Sequence, residues 1–500
     1  MSDSWRWISA RLPTIALAAL ALGCGEGTAP PFAANLALVA GAAGTDTVDA
    51  RLAQPLVAEV RGRGGTPLAS VAVRFTALLT FSADGQVVAG VLVGQPGGSD
   101  VAEQVVDTTD AQGRAAVQVR LGPAARVVGV EVSVPGTGLA DTARFTVQAG
   151  ATATVALAPT DTAVFVGGLY VIKSRPLDRH GNVTADAVRL TAQPAGIVDV
   201  VGSAVTGRTA GRAALIADAG ASEDTAWASV APNDVVAVVF SGGRLATVRL
   251  DGSGFLQIPT AHTYNGAGIA WAPDASYLVA GFDNDARAIY RLTTAGASTL
   301  VLPSGTSVGQ ITAVDVSADG QWIYFSAGNC NFDEIIYRMP IAGGTPQRIT
   351  ASSADDCFET VQAHVSLAPD GLRAAVDHYY GNDTPVLQIV DLTTGLATSL
   401  DIVGSNPKWS PRGDRIAYVG NDRVWVASPD GSGVTLVSPP NTAFVPALSW
   451  SPDGEWLAAY QYPSATSPLR WVVLRVATGE LIPLPATFDS LAGVSWKPLP

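Results

Sequence analysis

Asp315, His364, Asn406 and Lys408 bring a carboxylate, an imidazole, an amide and an ammonium to matching places in a repeated pattern. Each stands one or three residues before a turn phrase of the type Trp-Ser-Pro-Asp-Gly, and positions two apart on a strand share a face. Most of their counterparts, Gly268, Ala270, Ser366 and Gly493 among them, are small, as crowding near an axis demands. The four polar exceptions could line a channel and hold a small ligand or the terminus of a partner. They could equally satisfy one another as an ion-pair network. A catalytic site needs a convergent set of His, Arg, Tyr or paired carboxylates, and these strands offer one His and few charges. Binding is therefore the expected role, with an enzyme active at the channel mouth, a lyase or glycan-processing protein, as the alternative.

Other candidate chemistry is sparser. Asp333, Glu334, Asp355, Asp356 and Glu359 would gather if their two loops lie on one face, and five carboxylates could bind Ca²⁺; a solvated acidic surface is the plainer expectation. His180, His262, His364 and His378 have no spacing suited to a metal site, and nothing in the chain calls for a cofactor. Gly305-Thr306-Ser307-Val308-Gly309 has the letters of a nucleophile elbow. That motif needs a strand, a sharp turn and a helix, whereas here it joins two strand-rich repeats.

The turn phrase sets the elements that carry these residues. It appears as Trp271-Ala272-Pro273-Asp274, Val316-Ser317-Ala318-Asp319-Gly320, Leu367-Ala368-Pro369-Asp370-Gly371, Trp409-Ser410-Pro411-Arg412-Gly413, Trp450-Ser451-Pro452-Asp453-Gly454 and Trp496-Lys497-Pro498. Leading residues are 45, 51, 42, 41 and 46 apart, a period that β-propeller blades give. Strand-like runs such as Trp322-Ile323-Tyr324-Phe325 and Ile335-Ile336-Tyr337-Arg338-Met339 follow each phrase, which predicts four strands per repeat. The last phrase has no chain after it for three more strands, while Val235 to Phe240, Leu245 to Leu250 and Phe255 to Ile258 lack an inner strand. The C-terminal strand should pair with these and remove two exposed sheet edges. Trp271, Trp409, Trp450 and Trp496 should wedge between repeats as core.

Over essentially all of residues 233–500 these phrases resemble the TolB-like, WD-type six-bladed β-propeller family. The resemblance implies envelope protein partners. The family's own N-terminal domain is replaced here by other units.

Residues 33–149 alternate short strands with turns, as in Val71-Ala72-Val73-Arg74-Phe75 and Val117-Gln118-Val119-Arg120-Leu121, the signature of a β-sandwich. With Thr109-Asp110-Ala111-Gln112-Gly113 and Ala143-Arg144-Phe145-Thr146-Val147, they resemble the bacterial Ig-like domains of invasin and intimin stalks. Residues 150–232 carry the turn Asp178-Arg179-His180-Gly181-Asn182, and Val205-Thr206-Gly207-Arg208-Thr209-Ala210-Gly211 resembles a second bacterial Ig-like group. The fold class expected is all-β: two sandwiches, then a six-bladed propeller. Both resemblances imply a spacer or an adhesive module.

Arg6, Arg11, the apolar run Leu12 to Leu22 and small residues before Cys24 read as an export signal over residues 1–23. The segment resembles a lipoprotein lipobox, which implies a lipidated Cys24, a tether over 24–32 and, with Gly25 following, the outer membrane. Membrane contact would then run through the lipid alone, since no internal stretch reaches the roughly 18 apolar residues of a span. Export makes a disulfide between Cys330 and Cys357 plausible; in a four-stranded blade they fall in loops on one face. The net charge is −13, ten of it within residues 233–500, and only three residues are lysine. So acidic a surface repels phosphate backbones and disfavours nucleic acid. Protein, peptide or glycan partners remain.

Overall fold

A computed structural model describes residues 32–498 apart from 241, 261–262, 283–287, 304–305, 307, 329–333, 351–360, 380–383, 463–468 and 489–490. Cys24, Cys330, Cys357, His262, Gly305, Ser307 and four of the five clustered carboxylates, Asp333, Asp355, Asp356 and Glu359, lie outside the described residues. Glu334 begins the strand Glu334–Pro340. The described chain is all-β, and its one helical element is the 3₁₀ turn Ala486–Phe488. No described helix is long and apolar enough to cross a membrane. The chain divides into two compact units; the first comprises residues up to Ala156 with Arg175–Val188 and Ala219–Ser222, the second the remainder. The segment 150–232 is thus shared between them.

In the first unit, one sheet orders Ala33–Ala40, Leu56–Gly62, Arg114–Leu121 and Val91–Gly94, and a second contains Ala43–Thr47, Leu139–Gln148, Val127–Val134, Ala72–Ala77 and Gln104–Thr108. Arg114–Leu121 alternates buried and accessible residues along its length, because successive side chains on a strand point to opposite faces. The buried set from both sheets, including Val73, Phe75, Val117, Val119, Val130 and Phe145, forms one core. Each buried Phe contributes about 1.5–3 kcal/mol by leaving water. The turn expected at Asp178 is present: its buried carboxylate accepts amides from Gly150, His180 and Asn182, and Gly181 takes φ +80°. Burial alone would raise this carboxyl, but the Asn182 side chain and these amides outweigh it and hold it low.

The second unit contains the parallel pair Asp161–Phe165 with Glu223–Ala231 and then six four-stranded antiparallel sheets. Their inner strands are Tyr264–Trp271, Gln310–Val316, Val361–Leu367, Ser405–Trp409, Ala443–Trp450 and Leu491–Trp496. Each touches the next, and the last touches the first, a cyclic, propeller-like arrangement. Leu491–Trp496 pairs with Val235–Phe240, with Val494 opposite Val238 and Trp496 opposite Val236. The strand Leu491–Trp496 thus shares one sheet with the three upstream strands.

The repeated tryptophans pack as expected. Trp271 lies among Ala237, Val239 and Ile258 of the sheet before it, and Trp450 among Val419, Val424 and Val426. In the turn phrases the Asp side chain accepts the amide two residues on, as at Asp319 to Gln321 and Asp453 to Glu455. Gly320, Gly371, Gly413 and Gly454 all take positive φ, which glycine adopts without steric cost. The first phrase has no glycine there, and Ala275 is held at φ +58° instead.

Candidate functional site

Before three of the six turn phrases, the preceding side chain sews neighbouring sheets together. Asp315 accepts the Leu367 amide of the next inner strand at 2.9 Å and the adjacent Val316 amide at 2.8 Å. Ser366 Oγ accepts the Trp409 amide at 2.9 Å, and Ser449 Oγ accepts the Trp496 amide at 3.0 Å. Two indoles make the reciprocal contact: Trp450 Nε1 donates to the Lys408 carbonyl at 2.8 Å, and Trp271 Nε1 to the Ser495 carbonyl at 3.1 Å. An acceptor side chain at this position therefore has a structural duty. Lys408 occupies the same place with a side chain that cannot accept.

Three residues earlier the inner strands are irregular. Pairing shifts register between Gln362 and Val365 and between Ser405 and Lys408, and such bulges free backbone amides from the ladder. Asp377, fully buried on the second strand Arg373–Tyr379, takes them up: its carboxylate accepts the amides of His364 at 2.8 Å and Asn406 at 2.9 Å. It also pairs with His364 Nδ1 at 2.8 Å. Burial pushes the Asp377 carboxyl up, but the charge and hydrogen bond of His364 together with both amides hold it below the usual carboxylate range. Asn406 sits at φ +52° and donates through Nδ2 to the Pro446 carbonyl at 2.8 Å, leaving Oδ1 buried without a partner among the described residues.

These layers surround an axial channel. Its mouth, about 370 Å³, is rimmed by turn-phrase residues including Trp409, Pro411, Trp450 and Pro452, with Asp315 in its wall. Below it a cavity of about 240 Å³ is lined by Asp315, Ser366, Lys408 and Ser449. The innermost, about 180 Å³, reaches His364, Asn406 and Lys408. Of the four residues singled out from the sequence, Lys408 lines both inner cavities, the first with Asp315 and the second with His364 and Asn406. They do not form a closed ion-pair network. His364 pairs with Asp377, Asp315 with amides, and the Lys408 ammonium has no hydrogen bond or ion pair among the described residues. Burial holds Lys408 below the ordinary lysine range, against the pull of Asp315 and Asp377; burial likewise pushes Asp315 up, against the Leu367 amide and Lys408. Both keep part of their surface open to the channel, whose higher effective dielectric moderates these shifts.

Asp377 escaped the sequence reading, which followed inner strands only. Its signal is a charge closing the apolar run Ala374-Ala375-Val376 on a strand flanked by sheet on both sides. Among the described residues no group of three or more His, Cys, Asp or Glu could hold a metal ion.

No family model matches the chain. It is 30% identical over 162 residues to an uncharacterised protein, Atu1656, of Agrobacterium fabrum, a match covering 30% of this chain and 53% of that protein. The chain thus spans about half the length of the curated relative it matches. Among solved structures it is similar to a TolB described as putative from Agrobacterium tumefaciens, at 18% identity and TM-score 0.39 over 53% of this chain and 99% of that one. TolB from Acinetobacter baumannii is similar at 16% identity and TM-score 0.43, over 62% and 83% of the two chains.

Proposed function

We propose that this chain is an envelope-anchored binding protein in which an Ig-like stalk presents a six-bladed propeller to a protein, peptide or glycan partner. In this reading residues 1–23 are a lipoprotein signal and Cys24 bears the lipid that fixes the chain to the outer membrane. Residues 24–32 are a tether, 33–149 and 150–232 the Ig-like units, and 233–500 the propeller, closed by its own last strand. A Cys330–Cys357 bond clips two loops of one blade.

The observation that carries this reading is the division of labour at the channel. Asp315, Ser366, Ser449 and Asp377 spend their acceptors on backbone amides, while the mouth offers Trp and Pro edges around an open space. Such a surface suits recognition, in which a concave apolar site with a few polar groups fixes orientation. The test is affinity capture from envelope extract with the full lipidated chain, beside variants Pro411→Asp and Pro452→Asp of unchanged melting temperature. A stoichiometric partner lost in both variants supports the reading. A partner retained by both overturns the channel mouth as its site.

One observation favours the alternative of an enzyme: the His364–Asp377 pair at the channel wall has the arrangement of an oriented base. Absence of any partner, with turnover of a glycan panel that His364→Ala abolishes, would replace the binding reading with this one.

A further inference from the structure

We propose that Lys408 is a carbonyl-capturing amine, which condenses with a small aldehyde or α-oxo acid in the channel to form an imine, with Asp315 moving the proton. This stands apart from the partner-binding reading and does not depend on it.

The position argues first. Of the five equivalents of Lys408 on other inner strands, Asp315, Ser366 and Ser449 each accept an amide from the next strand. Lys408 gives up that stitch, and its ammonium gains no hydrogen bond or ion pair among the described residues in return. The side chain instead lines both inner cavities, which continue to the open mouth. A long side chain in a confined channel, with nothing to neutralise it by contact, is costly unless it meets a ligand.

The surroundings argue second. The titratable groups facing Lys408 are Asp315 on one inner strand and the His364–Asp377 pair on another sheet. Asp315 and Lys408 attract through space and line the same inner cavity of about 240 Å³, without an ion pair between them among the described residues. Burial favours the neutral amine of Lys408, the form that is nucleophilic.

The chemistry balances without any redox partner. The nitrogen lone pair adds to the carbonyl carbon, and the proton lost from nitrogen passes through Asp315 to the oxygen. The second N–H proton then passes by the same route to the resulting hydroxyl, which leaves as water as the nitrogen lone pair forms the C=N bond, and neither partner changes oxidation state.

Three lysines in the whole chain make the test direct. The full-length protein is treated with glyoxylate and cyanoborohydride at pH 7, and adducts are located by peptide mass spectrometry. Lys173 is exposed on its strand and serves as the internal reference. Burial lowers Lys408 and so raises its neutral, nucleophilic fraction, so trapping at Lys408 should outpace that at Lys173. Asp315→Asn should slow trapping at Lys408 and leave Lys173 unchanged, and Lys408→Arg, which keeps the charge, should abolish the fast adduct alone. Trapping at Lys408 no faster than at Lys173 overturns the proposal, and an Asp315→Asn variant that traps at the original rate removes Asp315 from it.

Discussion

Asp377 Oδ2 stands 2.8 Å from His364 Nδ1 and also accepts the Asn406 amide at 2.9 Å, so one buried carboxylate ties its own inner strand to the next. Replacing it with Asn keeps the shape but removes the charge that two amides and an imidazole were arranged to meet. Breaking a buried pair of this kind costs about 3–5 kcal/mol, and Asp377→Asn should show that loss in urea unfolding at pH 7. The folded carboxyl titrates below its ordinary value of 3.8, so its contribution is present above that pH and disappears as acid drives the pH down through the folded value. The difference between wild type and variant should accordingly shrink below pH 4. An equal difference at pH 3 and pH 7 would show that the charge is not the source.

Ser366→Ala and Ser449→Ala each delete one stitch between inner strands. A net loss of about 1 kcal/mol apiece is expected for one neutral hydrogen bond. Because the sites lie on different sheet pairs, the double variant should lose the sum, as independent sites do. Thermal melts of the two singles and the double check this.

Ala275 occupies a left-handed backbone position that glycine fills in four of the other phrases. Ala275→Gly should raise stability by about 1 kcal/mol, since the cost of a β-carbon at positive φ is of that size. Glycine also loosens the unfolded chain, which offsets part of the gain. A lower unfolding midpoint would mean that Ala275 makes contacts worth more than its strain.

Trp496 Nε1 donates to Asp234 Oδ2 at 3.0 Å while the strand carrying it pairs with Val235–Phe240. Trp496→Phe should cost about 1 kcal/mol through the half-buried acceptor left behind. Deletion of residues 490–500 should do far more, leaving Val235–Phe240 unpaired on one side and the protein aggregated on gel filtration. A monomeric, cooperatively melting truncation would contradict the pairing.

The turn phrases made the sheets legible because proline, aspartate and glycine have fixed backbone duties, and their spacing survives without knowledge of any contact. The runs from Val235 to Ile258, which have no turn-phrase strand before them, likewise called for an inner strand from elsewhere. What stayed hidden is relational. Asp315 and Ser366 look alike in sequence to any other small polar pair, and only the register of the next strand turns them into amide acceptors. Asp377 belongs to a strand whose apolar neighbours mask it, and its partners are bulged amides that no side-chain pattern announces. Lys408 was visible as a polar exception, yet its solitude depends on where Asp315 and Asp377 finally point.

The union of Leu491–Trp496 with Val235–Phe240 imposes an order of events on biogenesis. A chain made from its amino end supplies Val235–Phe240 long before its partner strand, so this apolar ribbon waits, half-dressed, until Leu491–Trp496 arrives. Long-range pairing of this kind is slow, and an incomplete chain is exposed to association while it waits. Any proteolytic nick that removes Leu491–Trp496 therefore yields a molecule marked for clearance by its own open flank, and this one strand acts as the seal on the sheet.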